Sequence, residues 1–193
     1  MAGKIILVTG GARSGKSVFA ERYAARGGRK VAYIATAQIY DDEMKERVAL
    51  HRQRRPANWP TFEAPYNAEQ AMAQAVRCAD AVLFDCLTLY TSNLLLAPDA
   101  PPDWEERRRF VLDKIAKLLA SARQECADVI FVTNEVGLGI VPDNALAREY
   151  RDVAGLINQQ VAACADEVYL VVCGLAVELK KLAVNLGEGD FNG

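Results

Sequence analysis

Gly10-Gly11-Ala12-Arg13-Ser14-Gly15-Lys16-Ser17 satisfies every fixed position of the phosphate-binding pattern G-x-x-x-x-G-K-[ST]. Its surroundings fit as well. Lys4-Ile5-Ile6-Leu7-Val8-Thr9 is a short apolar run of the kind that forms a buried parallel strand, and residues 18–25 read as a helix beginning at the loop. Glycine at 10, 11 and 15 lets successive N–H groups turn inward around a phosphate chain, and the helix that follows points its partial positive end at the same place. Lys16 is placed to meet the β and γ phosphates, and the Ser17 hydroxyl to ligate Mg²⁺. A glycine-rich strand-to-helix turn without a ligand is the alternative reading, and the flanking elements weigh against it.

Outward from the loop, strand and helix candidates alternate to the end of the chain. Residues 31–36 form a second apolar run, residues 41–54 an amphipathic helix with Asp41 and Asp42 at its start, and Pro56 ends it. A short extended piece at Thr61-Phe62-Glu63, a helix over 68–78 and a strand over 81–85 follow. Residues 87–96 read as a helix, 98–102 as a proline-rich loop, and 104–123 as the longest helix, with Phe110, Lys114 and Leu118 in its period. Residues 129–133 form another strand, then come a glycine-bearing loop at 134–139, a helix within 144–165 and a last core strand at 167–172. The pattern predicts an α/β fold, a mainly parallel sheet with helices on both faces. Ligands of such sheets bind at the carboxyl ends of the strands. The rule selects the loop after Thr9, the Thr36 turn, Asp85, the Asn134-Glu135 turn and the Gly174 turn, all expected along one edge.

The bulk properties fit one domain over residues 1–181 with a poorly ordered tail over 182–193. With 23 Lys+Arg against 25 Asp+Glu, the net charge of -2 gives no general attraction to nucleic acid or to an anionic membrane, so any anion site is local. Cys78, Cys86, Cys126, Cys164 and Cys173 are odd in number, lack a C-x-x-C pair and lie in apolar or alanine-rich surroundings. They read as reduced, buried thiols of a cytoplasmic protein. The first strand begins almost at once, with no leader pattern and no apolar run of membrane-spanning length.

Two acids compete for the metal-linked role beside the loop. Asp85 ends a strand that is apolar up to the acid, as a Walker B residue would, and is favoured; Glu135 also follows a strand, and either could instead be a helix cap or turn former. His51 is the only histidine. Helical spacing puts Arg47, His51 and Arg55 on one stripe, with Arg52 and Arg54 nearby, and such neighbours favour a neutral imidazole suited to attack phosphorus. Met44 and Val48 share a face with His51, however, and on spacing alone a packed or interface histidine is the stronger reading.

The runs over 6–17, Tyr33-Ile34-Ala35-Thr36-Ala37-Gln38, Asp41-Asp42-Glu43-Met44 through His51 to Arg55-Pro56, and residues 132–142 together resemble one family, the bifunctional adenosylcobinamide kinase/adenosylcobinamide-phosphate guanylyltransferases of cobalamin synthesis. The likeness extends from Ile5 to about Val172. It implies a P-loop NTPase-like, RecA-like fold and two reactions: ATP or GTP phosphorylates adenosylcobinamide, and GTP then gives GMP through an enzyme histidine to the phosphate formed. The family's guanylylated histidine falls on His51, with Leu50 where some relatives carry a second histidine. Its nucleotide-binding positions fall on the loop from Gly10 to Ser17, on Ala35, Thr36 and Ala37, on Arg52, Gln53, Arg54 and Arg55, on Glu63 and on Asp85. Of these, Glu63 has no independent support in the residue pattern. The resemblance also implies Mg²⁺, a small-molecule corrinoid partner and a homotrimer.

A P-loop kinase in which His51 merely packs is the alternative, and a nucleotide-gated binding module is a third. A GTPase switch would want N-K-x-D for guanine, which Asn134-Glu135-Val136-Gly137 does not supply. Asn134, Glu135 and residues 148–151 are candidates for substrate contacts.

Overall fold

Strands buried on both faces need apolar side chains at successive positions rather than at alternate ones, and the runs around Leu7, Leu83 and Ile130 meet that need. In the computed structural model, which describes residues 3–38, 42, 45, 46, 48, 49 and 55–184, they lie in the middle of a seven-stranded sheet. The elements in chain order are β1 (Ile5–Thr9), α1 (Lys16–Ala25), β2 (Val31–Ala35), β3 (Thr61–Glu63), α2 (Ala68–Cys78), β4 (Ala81–Asp85) and α3 (Leu87–Leu95). Then follow α4 (Trp104–Ala122), β5 (Asp128–Val132), α5 (Ala145–Cys164), β6 (Glu167–Val172), β7 (Leu175–Glu178) and α6 (Leu179–Leu182). Asp42, Lys45, Glu46, Val48 and Ala49 are helical, inside the 41–54 helix read from the sequence. Of the tail expected over 182–193, Leu182 instead closes α6, and residues 185–193 lie outside the described residues.

The strand order is β3-β2-β4-β5-β1-β6-β7. Every pairing is parallel except β6 with β7, a hairpin that turns through Cys173 and Gly174. The sequence reading ended the core at Val172 and missed β7. That strand lies at the sheet edge with Leu175 and Val177 exposed, so it lacks the burial pattern that marks the others.

Alternation sends successive strand residues to opposite faces. Ile5 and Leu7 pack with α2, α3, α4 and α5, while Ile6 and Val8 pack with Ala20, Tyr23 and Ala24 of α1. The buried stripe of α4 is Val111, Ile115, Leu118 and Ala122, so Phe110 and Lys114 flank the core rather than centre on it. Asp103 caps α4 by accepting from the Glu106 N–H at 3.0 Å, and Asn144 caps α5 through the Ala147 N–H at 2.7 Å. The five cysteines are free as expected, but only Cys86 is buried. Apolar neighbours in sequence say nothing about which way a residue points at a helix end or in a turn, where Cys78, Cys164, Cys126 and Cys173 lie.

Candidate functional site

Because β2, β4, β5, β1 and β6 run parallel, their carboxyl ends share one edge. Backbone hydrogen bonds join the five spots selected by sequence there in two sets, the Thr36 turn with Asp85 and the loop with the turns at 135 and 174. The Thr36 N–H donates to the Asp85 carbonyl at 3.2 Å, the Glu135 N–H to Gly10 at 3.2 Å, and the Gly174 N–H to Ser14 at 2.8 Å. The phosphate-binding loop is therefore clamped between the segments that follow β5 and β6.

Within the loop, Gly10 and Gly15 are required by close approach. A Cβ at Gly10 would lie 2.4 Å from the Val171 carbonyl oxygen, and Gly15 has φ +97° with a Cβ position 3.1 Å from Gly174. Gly11, expected to need glycine's backbone freedom, faces open space without a left-handed φ, while Arg13 takes the left-handed conformation at φ 57°. Ala12 and Arg13 are exposed at the tip, and α1 begins at Lys16, two residues earlier than its sequence signal. No acidic side chain occupies the first turn of α1, so its partial positive end is left to a ligand.

Lys16 is only 8% exposed, and its Nζ donates to the Gly11 carbonyl at 3.0 Å across the loop. Burial lowers its pKa, and the nearby Cys86 and Asp85 only partly restore it. The Thr9 and Ser14 hydroxyl oxygens are buried without a hydrogen-bond partner among the described residues. A buried ammonium, orphaned hydroxyls and a helix N-terminus at one point form a receptor for a multiply charged phosphate.

Asp85 closes β4, and its carboxylate acts electrostatically on Lys16. Its Oδ2 accepts from the Tyr33 phenol at 2.8 Å. The rival acid Glu135 instead turns back on its own loop, where Oε1 accepts from the Gly137 N–H at 2.7 Å. Half-buried Ser17, in the first turn of α1, and Asp85, at the end of β4, are the hard oxygen donors that would suit Mg²⁺. Among the described residues no cluster of three or more His, Cys, Asp or Glu could hold a metal alone. Asp85 and Glu63 both pair in register with Ala35, which carries exposed Glu63 to the same edge.

Thr36 sits beneath the site. It is fully buried, its hydroxyl accepts from the Cys86 N–H at 2.8 Å and donates to the Cys86 carbonyl at 2.9 Å, and Asn93 donates to its carbonyl at 2.7 Å. Ala37 is half-buried beside it. The Arg55 guanidinium carbon lies 3.6 Å from the Tyr33 ring centroid. His51, Arg52, Gln53 and Arg54 lie outside the described residues. Sequence reasoning passed over Tyr33. The available signal was a phenol in an otherwise aliphatic buried strand, whose polar tip needs a partner.

Further along the edge, Thr88 accepts from the Asn134 N–H at 2.8 Å and Arg151 donates to the Gly137 carbonyl, which anchors the 134–139 loop. Leu138 and Ile140 are 90% and 97% exposed there. Two shallow concavities of about 400 and 300 Å³ open at the opposite edge, beside Asp80 and Lys30.

The chain matches the cobinamide kinase / cobinamide phosphate guanyltransferase family over residues 6–179. It is 46% identical over 181 residues to the bifunctional adenosylcobalamin biosynthesis protein CobU of Salmonella typhimurium, covering 91% of this chain and 99% of that protein. The corresponding protein of Escherichia coli is 44% identical over the same shares, and CobP of Pseudomonas aeruginosa is 43% identical over 90% of this chain and 96% of its own. Among solved structures, an ATPase of a bacterial type III secretion system superposes with a TM-score of 0.57 at 15% identity. The match covers 97% of this chain and 61% of that one, a likeness of fold alone.

Proposed function

This chain belongs to the cobinamide kinase / cobinamide phosphate guanyltransferase family, and from that premise we propose how its residues divide two reactions. It is an adenosylcobinamide kinase and adenosylcobinamide-phosphate guanylyltransferase of cobalamin biosynthesis, acting on a corrinoid with ATP or GTP.

In the kinase step the corrinoid hydroxyl oxygen attacks the γ-phosphorus, the bond from that phosphorus to the β–γ bridging oxygen breaks, and the hydroxyl proton leaves to solvent. Lys16, the loop N–H groups and the α1 N-terminus bind the phosphates and oppose the charge that gathers on their oxygens; the buried Lys16 ammonium carries this reading. Mg²⁺ held by Ser17 and Asp85, directly or through water, supplies further charge neutralisation when bound. In the transferase step a neutral His51 nitrogen attacks the α-phosphorus of GTP, forming an N–P bond and expelling pyrophosphate. The phosphate oxygen of adenosylcobinamide phosphate then attacks the same phosphorus, the N–P bond breaks, and adenosylcobinamide-GDP forms. Arg52, Gln53, Arg54 and Arg55 hold the guanylyl group beside His51, with Ala35, Thr36, Ala37 and Glu63 completing the nucleotide site. Asn134, Glu135 and residues 148–151 contact the corrinoid.

Residues 1–181 form one domain carrying both steps, and the protein works as a cytoplasmic homotrimer. Free cysteines and the exposed Leu175 and Val177 of edge strand β7 support those two assignments respectively. Incubation with GTP labelled at the α-phosphate should leave label on the denatured wild-type chain, lost in acid, stable in base and absent from His51→Ala. Binding of GTP without any covalent label would instead support the kinase reading without nucleotidyl transfer.

A further inference from the structure

Tyr33 sits between two parts of the site that the sequence treats as separate. On neighbouring parallel strands, Tyr33 pairs in register with Leu83 and Ala35 with Asp85. Tyr33 and Asp85 are thus diagonal neighbours, two positions apart on the same sheet face, within reach for a long aromatic side chain. The phenol donates to Asp85 Oδ2 at 2.8 Å, and the ring face carries the Arg55 guanidinium 3.6 Å from its centroid. Only 4% of Tyr33 is exposed.

Packing alone would be served by the ring. A hydroxyl spent on the acid beside Lys16 does something more: it fixes one oxygen of that carboxylate and, with it, the plane in which the group meets a cation. The ring itself seats Arg55, the first described residue after the segment that contains His51. A cation on a desolvated ring face is held more firmly than one in water.

We propose that Tyr33 is a positioning residue of the nucleotide site, orienting Asp85 toward a divalent cation through its hydroxyl and seating Arg55 through its ring. This rests on the nucleotide-site reading above, and binding measurements separate its failure from the failure of that reading. GTP affinity is measured by equilibrium binding as a function of Mg²⁺ concentration for the full chain, Tyr33→Phe, Asp85→Asn, the double variant and Tyr33→Leu.

Tyr33→Phe, which keeps the ring, is expected to bind GTP normally without Mg²⁺ but to need about tenfold more Mg²⁺ for half-maximal enhancement. In the Asp85→Asn background the same change should add nothing, because the hydroxyl acts through that carboxylate. Tyr33→Leu, which also removes the platform for Arg55, should weaken GTP binding even without Mg²⁺. A Tyr33→Phe titration that superposes on the wild type, or a shift that persists undiminished in Asp85→Asn, would overturn the proposal while leaving the nucleotide site intact. Wild-type GTP binding indifferent to Mg²⁺ would remove the metal reading, and this inference with it.

Discussion

The two ends of the parallel sheet are built on opposite electrostatic plans. At the amino end, acids beside the strand starts meet donors already in place. Asp128 accepts from the Lys4 N–H at 2.9 Å and from Arg29 at 2.5 Å, Asp166 from the Ile5 N–H at 2.7 Å, and Asp80 from the Lys30 N–H at 2.9 Å. Glu167 gathers Lys4 at 2.8 Å, the Tyr23 phenol at 2.5 Å and the Tyr169 phenol at 2.8 Å. At the carboxyl end the balance tips toward donors, with a buried ammonium, a helix N-terminus and two hydroxyl oxygens that find no partner among the described residues. A filled hydrogen-bond inventory lowers the energy of the fold. An unfilled one costs stability and is repaid when a phosphate arrives, which is how one sheet serves both as scaffold and as receptor.

This division is open to direct attack. The largest effect expected is on turnover: Lys16→Ala should lower kinase kcat/KM by about 10²–10³-fold, the scale for losing one preorganised donor to transition-state charge. Its thermal unfolding midpoint should barely move, since little of the fold leans on that ammonium. Steady-state kinetics and calorimetry on one preparation decide it, and a loss of stability with unchanged kinetics would show that the two ends are not divided in this way.

At the other end the signs reverse. Glu167→Gln keeps the shape but removes the charge that three donors address, and should destabilise the fold by about 1–3 kcal/mol with GTP affinity unchanged. Burial by itself would raise the Glu167 pKa, but the bonds from Lys4, Tyr23 and Tyr169 outweigh it and hold the carboxyl at about 2, against 4.5 unperturbed. A carboxylate depressed on folding contributes stability that is complete above the unfolded value near 4.5 and is lost as the pH falls toward about 2. Denaturant titrations across that window should show the wild type losing stability and Glu167→Gln losing less. Parallel slopes would mean that other carboxylates control the acid limb.

The smallest effect marks the background. Lys117 and Asp113 form an exposed i,i+4 pair at 2.7 Å on α4, belonging to neither end. Lys117→Ala should change stability by less than about 0.5 kcal/mol and leave kinetics untouched. A larger loss would show that surface pairs rival the amino-end network.

Much of this was legible in advance where burial and local chemistry coincide. The bounds of β4 and α2 follow from an unbroken apolar run and a clear helical period, and the loop from Gly10 to Ser17 declares itself by residue type. Glu167 was legible only as the first residue of a strand, and Asp128 fell just outside the strand read from 129. Nothing in a linear pattern says that Lys4 or Arg29 will face them. The exposed cysteines and the missed strand β7 failed for a shared reason: at edges and element ends, composition no longer reports orientation.

By itself the sequence determined the elements before β7, the residue types of the phosphate-binding loop and the sheet edge on which the strand ends fall, because strand periodicity, helix signals and the loop pattern depend on residues close together in the chain. Only the tertiary structure decided that β2 lies beside β4, so that Tyr33 meets Asp85. It likewise turned Glu135 onto its own loop, buried Thr36 beneath the site and closed the acids at the amino end. Strand order and diagonal contacts are set by how whole layers pack, and a contact between residues 52 positions apart leaves no mark on the neighbours of either one.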